Sequence, residues 1–588
     1  MLKNILKNHW PIFILALVIS LLVVRPTLFA IYQSGWKNFN GVYPILNDDE
    51  EHYLAMSKRL YDGRTLGNVY LKEHQNDLPL MPDLAEWLIA KEAKALRLTV
   101  PATFFLNDFI LPFLGVVLLY LLFVRITAEK KIAAGFSVFF YLLFLFSFGR
   151  PINPQFSFIF LVLSIILIWE IFFKDLSGRR LVCYNIFLGA TFGMLLYVYP
   201  YYWTAVLVLY IVSLLAGVVV KKSFETIKYS SVFFITALIF GLPYFRSLAA
   251  LAKNPFYNES LSRLGLLNIH WPGCYFNVLL IALTGLALLL CRRLIGTKQE
   301  FYFSLALLLA AWGLNWQNII TGKYLQFSSH YYQVTVFFSF LVLAIIFKNL
   351  RAALKNNGWV GLNKTDWLAI VFALAFLALL VYKQKEHLKI GFINNLPAEQ
   401  LAELQEGGKT FDWLNQNTLP DSVIYFLGSD SQSNLISIYT RNNLYAQGYG
   451  AAYLLSDDEL EDRWARQNIF KDKVDGDFIL ADQRSIWLNK FIDRYQNQVV
   501  RNKIIQALTG KKTAEPILVP PEYVARVLNK YNEIKKEDPR TALKKYELDY
   551  ILLDTNDDKY RGLQDILGRY SFIVPVAQIG SNLIYKVN

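Results

Sequence analysis

The chain has 588 residues, of which 55% are apolar and 18% are charged, and its formal net charge is +13. That apolar content is too high for an ordinary soluble protein of this length. A basic chain would fit a nucleic-acid-binding protein, but here the charges fall in short segments between long uncharged runs, which excludes nucleic acid as a partner.

Eleven long apolar runs predict membrane spans, because about 18 such residues suffice to cross a bilayer. The first run follows Lys3 and Lys7, as in a signal peptide, but no clear small-residue cleavage site follows it. We therefore interpret it as an uncleaved anchor. The predicted spans lie near residues 10–31, 102–124, 132–149, 155–173, 181–199, 203–220, 229–245, 274–291, 301–317, 332–347 and 367–382.

The distribution of Lys and Arg predicts the orientation. With a cytoplasmic N-terminus, the predicted cytoplasmic segments hold eighteen basic residues and the short loops on the other side hold five. The positive-inside rule therefore predicts a multi-pass protein of the plasma membrane with its N-terminus in the cytoplasm. Two large segments then lie outside, residues 32–101 and everything after about residue 383.

The first outer segment, residues 32–101, is too long for a simple connector. It predicts two short helices, one that begins near Asp49 and one from Asp83 to Leu98, each with apolar side chains at helical spacing. Helices with such faces are expected to lie flat at the membrane interface.

Four consecutive acids, residues 48–51, open the first of these helices. One interpretation is structural, since Asn47 or Asp48 can cap the helix and acids favour its positive end. The other is functional: Asp49 is a candidate general base, or a ligand for a divalent cation. Tyr53 lies four residues after Asp49 and shares its helix face, so it is a candidate substrate-binding residue.

Two more polar candidates lie at the predicted outer membrane surface. Asp108 is about six residues, or roughly 10 Å, inside the second span, where an acid is a functional candidate by default. The alternative is that it sits at the headgroup level. Arg150 follows the third span, and its guanidinium suits a lipid phosphate, although it would also suit ordinary headgroups.

Two aromatic and basic segments complete the candidates. Tyr201 belongs to an aromatic stretch, residues 195–205, that is either an interfacial belt or a surface for stacking sugars. In the loop of residues 320–333, Lys323, His330 and Tyr331 are candidates for binding a phosphate, and histidine can transfer a proton. A lone histidine is, alternatively, structural.

The polar tail predicts a second domain. Strand-like runs such as "SVIYFLG", "DYILLDT" and "NLIYKVN" alternate with helical patterns. The sequence therefore predicts a transmembrane domain, residues 1–385, and an extracytoplasmic α/β domain, residues 386–588. The acidic run "SDDELED", residues 456–462, is predicted to be a solvated helix start.

The order of a first span, the motif Asp49-Glu50-Glu51-His52-Tyr53, a basic amphipathic stretch and "DG" resembles the first outer loop of GT-C glycosyltransferases. The resemblance extends over about residues 1–385, and tail pieces such as "YELDYILLD" are also similar. It implies that Asp49 is the loop carboxylate that acts as base toward the acceptor or helps to bind a metal, with Glu50 as its weaker neighbour. Many members carry another acid in the second outer loop, whereas "FGRPINPQ" has none, so Asp108 is the candidate partner.

The resemblance implies an α-helical polytopic enzyme that transfers a sugar from a polyprenyl-phosphate donor, with inversion, to an acceptor glycan, lipid or protein. Arg150, Lys323 or His330 would neutralise the leaving phosphate. The alternative is a transporter or flippase of a lipid-linked compound, which broken spans with polar residues in both halves would favour. The predicted spans are mostly unbroken, which favours the transferase. A divalent cation is the one cofactor under consideration.

Overall fold

The computed structural model describes residues 2–35, 39–45, 48–145, 147–221, 225–324, 328–358, 362–393, 398–560 and 562–588. The first two thirds of the chain form a helical bundle with its connecting loops, and the last third forms a domain around a five-stranded sheet.

Among the described residues, a helix coincides with each of the eleven apolar runs, and four shorter helices lie in the segments between them. The helices up to residue 393 are α1 (Leu2–Ser34), α2 (Asp48–Tyr61), α3 (Leu84–Leu96), α4 (Val100–Thr127), α5 (Lys130–Leu143), α6 (Ser157–Phe173), α7 (Gly178–Leu195), α8 (Pro200–Lys221), α9 (Glu225–Leu251), α10 (Tyr257–Arg263), α11 (Tyr275–Leu290), α12 (Lys298–Trp316), α13 (Asn318–Thr321), α14 (Ser328–Asn357) and α15 (Lys364–Ile393).

The protein is a multi-pass membrane protein. Among the described residues, eight helical segments are long and apolar enough to cross a membrane by length and composition. Helix α11 is apolar but shorter, and α5 and α7 do not meet the same criterion. The predicted number of eleven spans therefore stays a prediction, while the polytopic helical architecture is confirmed.

Aromatic side chains hold the centre of the bundle together. Phe140 of α5 packs against Phe158 of α6 and Phe337 of α14, with ring centroids 5.7 and 5.1 Å apart. Helix α14 is largely buried among its neighbours, whereas α9 exposes large apolar side chains such as Ile235 and Ile239. Exposed apolar faces of this kind are expected where a helix faces lipid.

The two predicted loop helices are present as α2 and α3, and they pack against each other. Helix α3 ends at Arg97 in a left-handed conformation, and α4 begins directly afterwards, where the Thr99 side chain accepts a hydrogen bond from the Ala102 amide. This cap and Pro101 in the first turn explain why the second span begins there. The predicted cap at Asn47 and the Asp48 side chain lie outside the described part of the chain.

A short antiparallel pair joins two of the loops at the same end of the bundle. Strands β1 (Leu267–Asn268) and β2 (Lys323–Tyr324) lie before α11 and between α13 and α14. The segment that follows α5 also folds at this end, where Pro151–Phe156 form a wide helical turn before α6.

The tail is an α/β domain, as predicted. Its strands are β3 (Val423–Leu427), β4 (Asn443–Leu444), β5 (Tyr550–Asp554), β6 (Ile573–Ile579) and β7 (Asn582–Val587), in the order β4-β3-β5-β7-β6. The first three are parallel, and β7 and β6 are antiparallel to their neighbours. The helices are α16 (Ala398–Asn417), α17 (Asp430–Tyr439), α18 (Asp457–Gln467), α19 (Gly476–Ala481), α20 (Gln483–Trp487), α21 (Ile492–Thr509), α22 (Pro521–Ile534), α23 (Pro539–Leu543) and α24 (Leu563–Leu567).

The tail domain is bound to loops of the helical domain by hydrogen bonds. Fully buried Arg263, at the end of α10, donates hydrogen bonds to the Ala451 and Leu455 carbonyls and to the Asp457 carboxylate. The amide of Leu444 in β4 donates to the Tyr70 carbonyl at 2.8 Å. Because Asp457, Glu461 and Asp462 are buried, the predicted solvated helix start is wrong for these three acids.

Candidate functional site

A cavity of about 920 Å³ lies where the segment between α1 and α4, the ends of the bundle helices and the tail domain meet. Its polar and aromatic lining comes from α2, α3, α8, α14 and the tail. Those side chains include Asp49, Glu51, His52, Tyr53, Glu86, Tyr199, Tyr201, His330, Asn434, Gln447, Tyr449 and Arg484.

Asp49, which lines the cavity, forms an ion pair with Arg150, which is not among the lining residues. One Asp49 oxygen accepts a hydrogen bond from Arg150 Nη1 at 2.7 Å, and the Tyr449 hydroxyl lies 3.5 Å from the other oxygen. The Asp49 side chain is 57% exposed, so it remains open to a second partner. Arg150 keeps a buried N–H on Nε that has no hydrogen-bond partner among the described residues.

Asp108 is not among the residues that line the cavity. It is half-buried in α4, and Gln155 from the wide turn after Arg150 donates a hydrogen bond to it at 2.9 Å. Glu50 acts on Asp108 electrostatically. The structure thus brings Asp108 within electrostatic reach of the acidic helix start without exposing it to the cavity.

Glu50 is likewise not among the residues that line the cavity. It is 8% exposed, and burial raises its pKa to about 8, an effect that the positive charge of Arg150 reduces and the charge of Glu51 increases. At neutral pH this carboxyl therefore carries a proton more often than not. Glu50 is expected to influence the electrostatics beneath the site rather than to touch a substrate.

The tail domain supplies one wall of the cavity through a polar chain. The side-chain amide of Asn434 donates to Glu51, and Gln447 donates to Asn434. The oxygen of Gln447 in turn accepts a hydrogen bond from the Tyr449 amide. This chain connects the acidic helix start to the tail, so the geometry of the site depends on both domains.

His52 sits in an aromatic cluster next to Asp49. Its ring stacks on Tyr449 at 5.4 Å, and its Nδ1 lies 3.1 Å from the Tyr70 hydroxyl. Burial lowers the pKa of His52 to about 4, although the charge of Asp49 opposes this effect. His52 is therefore neutral at pH 7, and its Nε2 has no partner among the described residues.

His330 and Tyr201 lie on the membrane side of the same cavity. Their rings stack with centroids 4.4 Å apart, and His330 Nδ1 is hydrogen-bonded to the Tyr199 hydroxyl. Of the four residues expected to converge on one cavity, Asp49 and His330 line it, whereas Arg150 and Asp108 do not. Their roles stay predictions.

Tyr331 and Lys323 lie elsewhere. Tyr331 is buried between helices, with its hydroxyl 3.0 Å from Thr204 Oγ1. Lys323 is exposed and donates to the Asn268 side chain at 2.6 Å, within the β1–β2 pair. Neither is among the residues that line the cavity, and residues 325–327 of the same predicted loop lie outside the described part of the chain.

Sequence reasoning missed Glu86, His52 and Tyr449. Glu86 is one acid in an amphipathic helix, and Tyr449 lies some 400 residues from Asp49, so no local pattern identifies either. His52 could have been identified from the sequence, because it lies between Asp49 and Tyr53 in the quoted motif. A histidine within a motif of candidate catalytic acids is itself a signal of function, and it could have been used to select His52.

The residues around Asp49 do not form a metal site in the described part of the chain. No group of three or more His, Cys, Asp or Glu side chains is arranged there to hold a metal ion. The closest charged partner of Asp49 is the guanidinium of Arg150, and a cation in that place competes with a divalent metal. We therefore derive no step through a metal.

Comparison with known proteins gives a fold but no sequence relative. No sequence family and no curated protein sequence matches the chain. Among solved structures, the chain is similar to the arabinofuranosyltransferase AftD from Mycobacteria, with a TM-score of 0.51 and 12% identity over 97% of this chain and 40% of AftD. The chain thus spans well under half of the length of AftD.

Two further structures match over more of their own length. ArnT from Cupriavidus metallidurans, bound to undecaprenyl phosphate, is 11% identical over 99% of this chain and 98% of ArnT, with a TM-score of 0.48. The oligosaccharyltransferase AglB from Archaeoglobus fulgidus, in complex with an inhibitory peptide and a dolichol-phosphate, is 13% identical over 99% and 75%, with a TM-score of 0.44. The similarity to AftD confirms the fold class that the sequence predicted, an α-helical polytopic protein with an α/β domain.

Proposed function

We propose that this protein is a membrane glycosyltransferase that moves a sugar from a polyprenyl-phosphate donor to an acceptor hydroxyl. The observation that supports the proposal is the Asp49–Arg150 ion pair, in which Arg150 Nη1 lies 2.7 Å from a carboxylate, Asp49, that lines a large cavity. The GT-C fold supports it, since AftD, which shares that fold, is an arabinofuranosyltransferase. The fold alone does not carry the function.

The reaction requires that the acceptor hydroxyl lose its proton and that the negative charge on the leaving phosphate be stabilised. The acceptor oxygen attacks the anomeric carbon, the bond from that carbon to the phosphate oxygen breaks, and the phosphate leaves with the electron pair. Asp49 takes the proton of the acceptor hydroxyl as general base. Its exposure to the cavity gives an acceptor room to approach the oxygen that does not bind Arg150.

Arg150 stabilises the leaving phosphate and holds Asp49 in place. Its Nη1 is bound to Asp49, while the unpartnered Nε–H is a donor for a phosphate oxygen. A guanidinium suits this task because its donors are fixed in a plane and remain charged at any relevant pH. Charge develops on the phosphate as the sugar leaves, so a preplaced cation lowers the barrier.

The proposed location is the outer face of the plasma membrane. The excess of Lys and Arg in the predicted cytoplasmic segments, eighteen against five, supports a cytoplasmic N-terminus and an external tail domain. The cavity then opens at the outer leaflet, where a lipid-linked donor, membrane lipids and an acceptor glycan, lipid or protein meet. The transporter alternative gains no support from the fold comparison.

The proposal is tested with purified protein in liposomes that contain a polyprenyl-phosphate-linked sugar labelled in the sugar. We expect label to appear on an acceptor with wild-type protein, and the Asp49→Asn variant to remain folded and inserted but inactive. A transporter would instead move the labelled lipid between leaflets and leave it chemically unchanged. That outcome would overturn the proposal.

A further inference from the structure

Helix α21 of the tail domain leaves its apolar side chains largely uncovered. All of its 18 residues belong to the described part of the chain, and among them Asp493 alone is buried. Val500, Ile504 and Leu508 lie four residues apart and therefore form one stripe along the helix. Leu508 is 80% exposed, Val500 is exposed and Ile504 is half-buried. Because a helix in a protein is stabilised mainly by packing of its apolar face, a surface outside the chain is expected to cover this stripe.

The charge around the stripe has one sign. Residues 494–514 hold five basic side chains and no acidic one. The segment after the helix folds back on it, since the Asn502 side chain donates to the Ala514 carbonyl at 2.9 Å. Lys511 and Lys512 lie in that segment and are exposed. A basic surface beside exposed apolar side chains suits a bilayer with anionic headgroups.

One side-chain contact connects α21 to the end of a membrane helix. The Arg501 guanidinium lies over the Trp271 ring, 5.0 Å from the ring centroid. The Trp271 carbonyl in turn accepts a hydrogen bond from the Asn318 side chain at 2.8 Å. Asn318 lies in the last turn of Lys298–Thr321, a segment long and apolar enough to cross a membrane, and the nearby Ile320 is 88% exposed. The end of a span lies at the membrane interface, where tryptophan is enriched, so the contact brings α21 to the level of the bilayer surface.

We propose that α21 is an interfacial helix that inserts Val500, Ile504 and Leu508 into the bilayer surface while its basic residues bind anionic lipid headgroups. Such a contact does not depend on sugar transfer. A second copy of this chain fits the surface less well, because it would present the same five basic side chains and repel them. A bilayer supplies both an apolar layer for the stripe and negative charge for the basic residues.

The lipid contact fixes one wall of the cavity relative to the membrane. Leu488 and Asn489 line the cavity, and α21 begins three residues after Asn489. The Asn489 amide also donates to the Arg263 carbonyl at 3.0 Å, so this wall is held to α10 as well. An α21 that is bound to lipid therefore keeps the tail side of the cavity close to the bilayer surface.

The test attaches a nitroxide spin label to the full-length protein in nanodiscs that contain anionic lipid, after Cys183→Ala, Cys274→Ser and Cys291→Ala remove the native thiols. Leu508→Cys places the label on the stripe, and Gln506→Cys places it on the opposite face of the same helix. The label at 508 should collide with dissolved oxygen and be shielded from a water-soluble nickel chelate, at a depth of about 5–10 Å. The label at 506 should show the reverse.

A charge variant tests the role of the anionic headgroups. Lys511→Glu combined with Lys512→Glu should lower the ratio of membrane-inserted to water-exposed label at 508 about tenfold or more, because two charges near an anionic surface change sign. Lys536→Glu, at an exposed lysine that follows α22, is the matched control and should leave the ratio unchanged. Nanodiscs made only of zwitterionic lipid should lower the ratio for the wild-type charges.

Three results would overturn the inference. The first is equal access of the nickel chelate to the labels at 508 and 506 in anionic nanodiscs. The second is an equal loss of inserted label in the Lys536→Glu variant, which would assign the effect to net charge. The third is shielding of the label at 508 that persists in detergent and increases with protein concentration, which would assign the stripe to a second copy of the chain. Each of these results leaves the proposed function intact.

Discussion

Two helices of this protein begin with a cluster of acids, and the clusters have different environments. At the start of α2, Asp49 is exposed to the cavity with one cation, while Glu50 is buried and largely protonated. At the start of α18, Asp457 is bound by Arg263 and Lys490, and Glu461 by Arg526 and Trp487.

The difference lies in how many donors each carboxylate receives. Asp462 of α18 accepts hydrogen bonds from Arg466, Lys545 and Tyr546, so all of its charge is neutralised within the protein. Asp49 has one strong donor and an open face. An acid whose oxygens all accept hydrogen bonds from the protein stabilises the contact between structural elements. An acid that lines a cavity and can still accept a hydrogen bond is available for catalysis. The sequences "NDDEEHY" and "SDDELED" alone do not distinguish these cases.

The largest predicted effect concerns the cation of the first cluster. Arg150→Gln removes the charge that stabilises the leaving phosphate, and we expect sugar transfer to fall about hundredfold or more. Steady-state transfer from a polyprenyl-phosphate sugar measures this effect. Arg246→Gln, an exposed arginine at the end of α9, is the control and should keep full activity. Equal losses in both variants would show that bulk surface charge, rather than the Asp49 pair, matters.

The next effect concerns the stability of the tail domain. Glu461→Ala leaves the indole N–H of buried Trp487 without an acceptor and breaks the pair with Arg526. We expect the free energy of unfolding to fall by about 2 kcal/mol, measured by denaturant titration of the protein in detergent. Asp458→Ala, four-fifths exposed on the same helix, should change it by less than about 0.5 kcal/mol. Similar losses in the free energy of unfolding for the two variants would show that the hydrogen bonds of Glu461 do not stabilise the tail domain.

The clusters should also respond to pH in opposite directions. The pKa of Glu50 is raised to about 8, so its contribution to stability is full below its ordinary value of 4.5 and is lost as the pH rises through about 8. The hydrogen bonds from Arg466, Lys545 and Tyr546 outweigh burial and lower the pKa of Asp462, so its contribution is present above 3.8 and is lost as the pH falls through the lowered value.

Melting temperatures of two variants from pH 3 to pH 9 measure this opposition. Glu50→Gln should gain stability relative to the wild type as the pH rises from 5 to about 8, because the variant side chain never ionises. Asp462→Asn should be destabilised at neutral pH and approach the wild type only under acid conditions. If the melting temperatures of both variants, relative to the wild type, changed with pH in the same direction, the opposite pKa shifts of Glu50 and Asp462 would be contradicted.

The smallest effect concerns a bridge between the outer loop and α18. His74 is hydrogen-bonded to Asp77 at 2.8 Å and to Glu459 at 3.0 Å. Burial opposes the charged ring, but these two carboxylates raise its pKa overall, so its stabilisation is full below 6.5 and disappears as the pH rises through the raised value. His74→Gln should lower stability by less than about 1 kcal/mol at pH 6 and by nothing at pH 9. An equal loss at both pH values would assign the effect to packing.

Much of the fold was predictable because apolar runs and alternating patterns are local signals. Helices occupy all eleven predicted spans, and strands β3, β5 and β7 lie in the quoted tail segments. The burial and the hydrogen-bond partners of individual acids were not predictable, because those partners are distant in sequence. Arg263 lies 194 residues from Asp457, and Arg150 lies 101 residues from Asp49. Burial of Glu86 likewise depends on a cavity that several segments enclose.

The most direct test of the account measures activity and stability together for Asp49→Asn and Glu461→Gln. We predict that Asp49→Asn abolishes sugar transfer from a polyprenyl-phosphate donor and leaves the melting temperature unchanged, because its exposed side chain holds little of the fold together. Glu461→Gln should lower the melting temperature and keep transfer per folded molecule. Full transfer by a well-folded Asp49→Asn variant would contradict the assignment of Asp49 as the base.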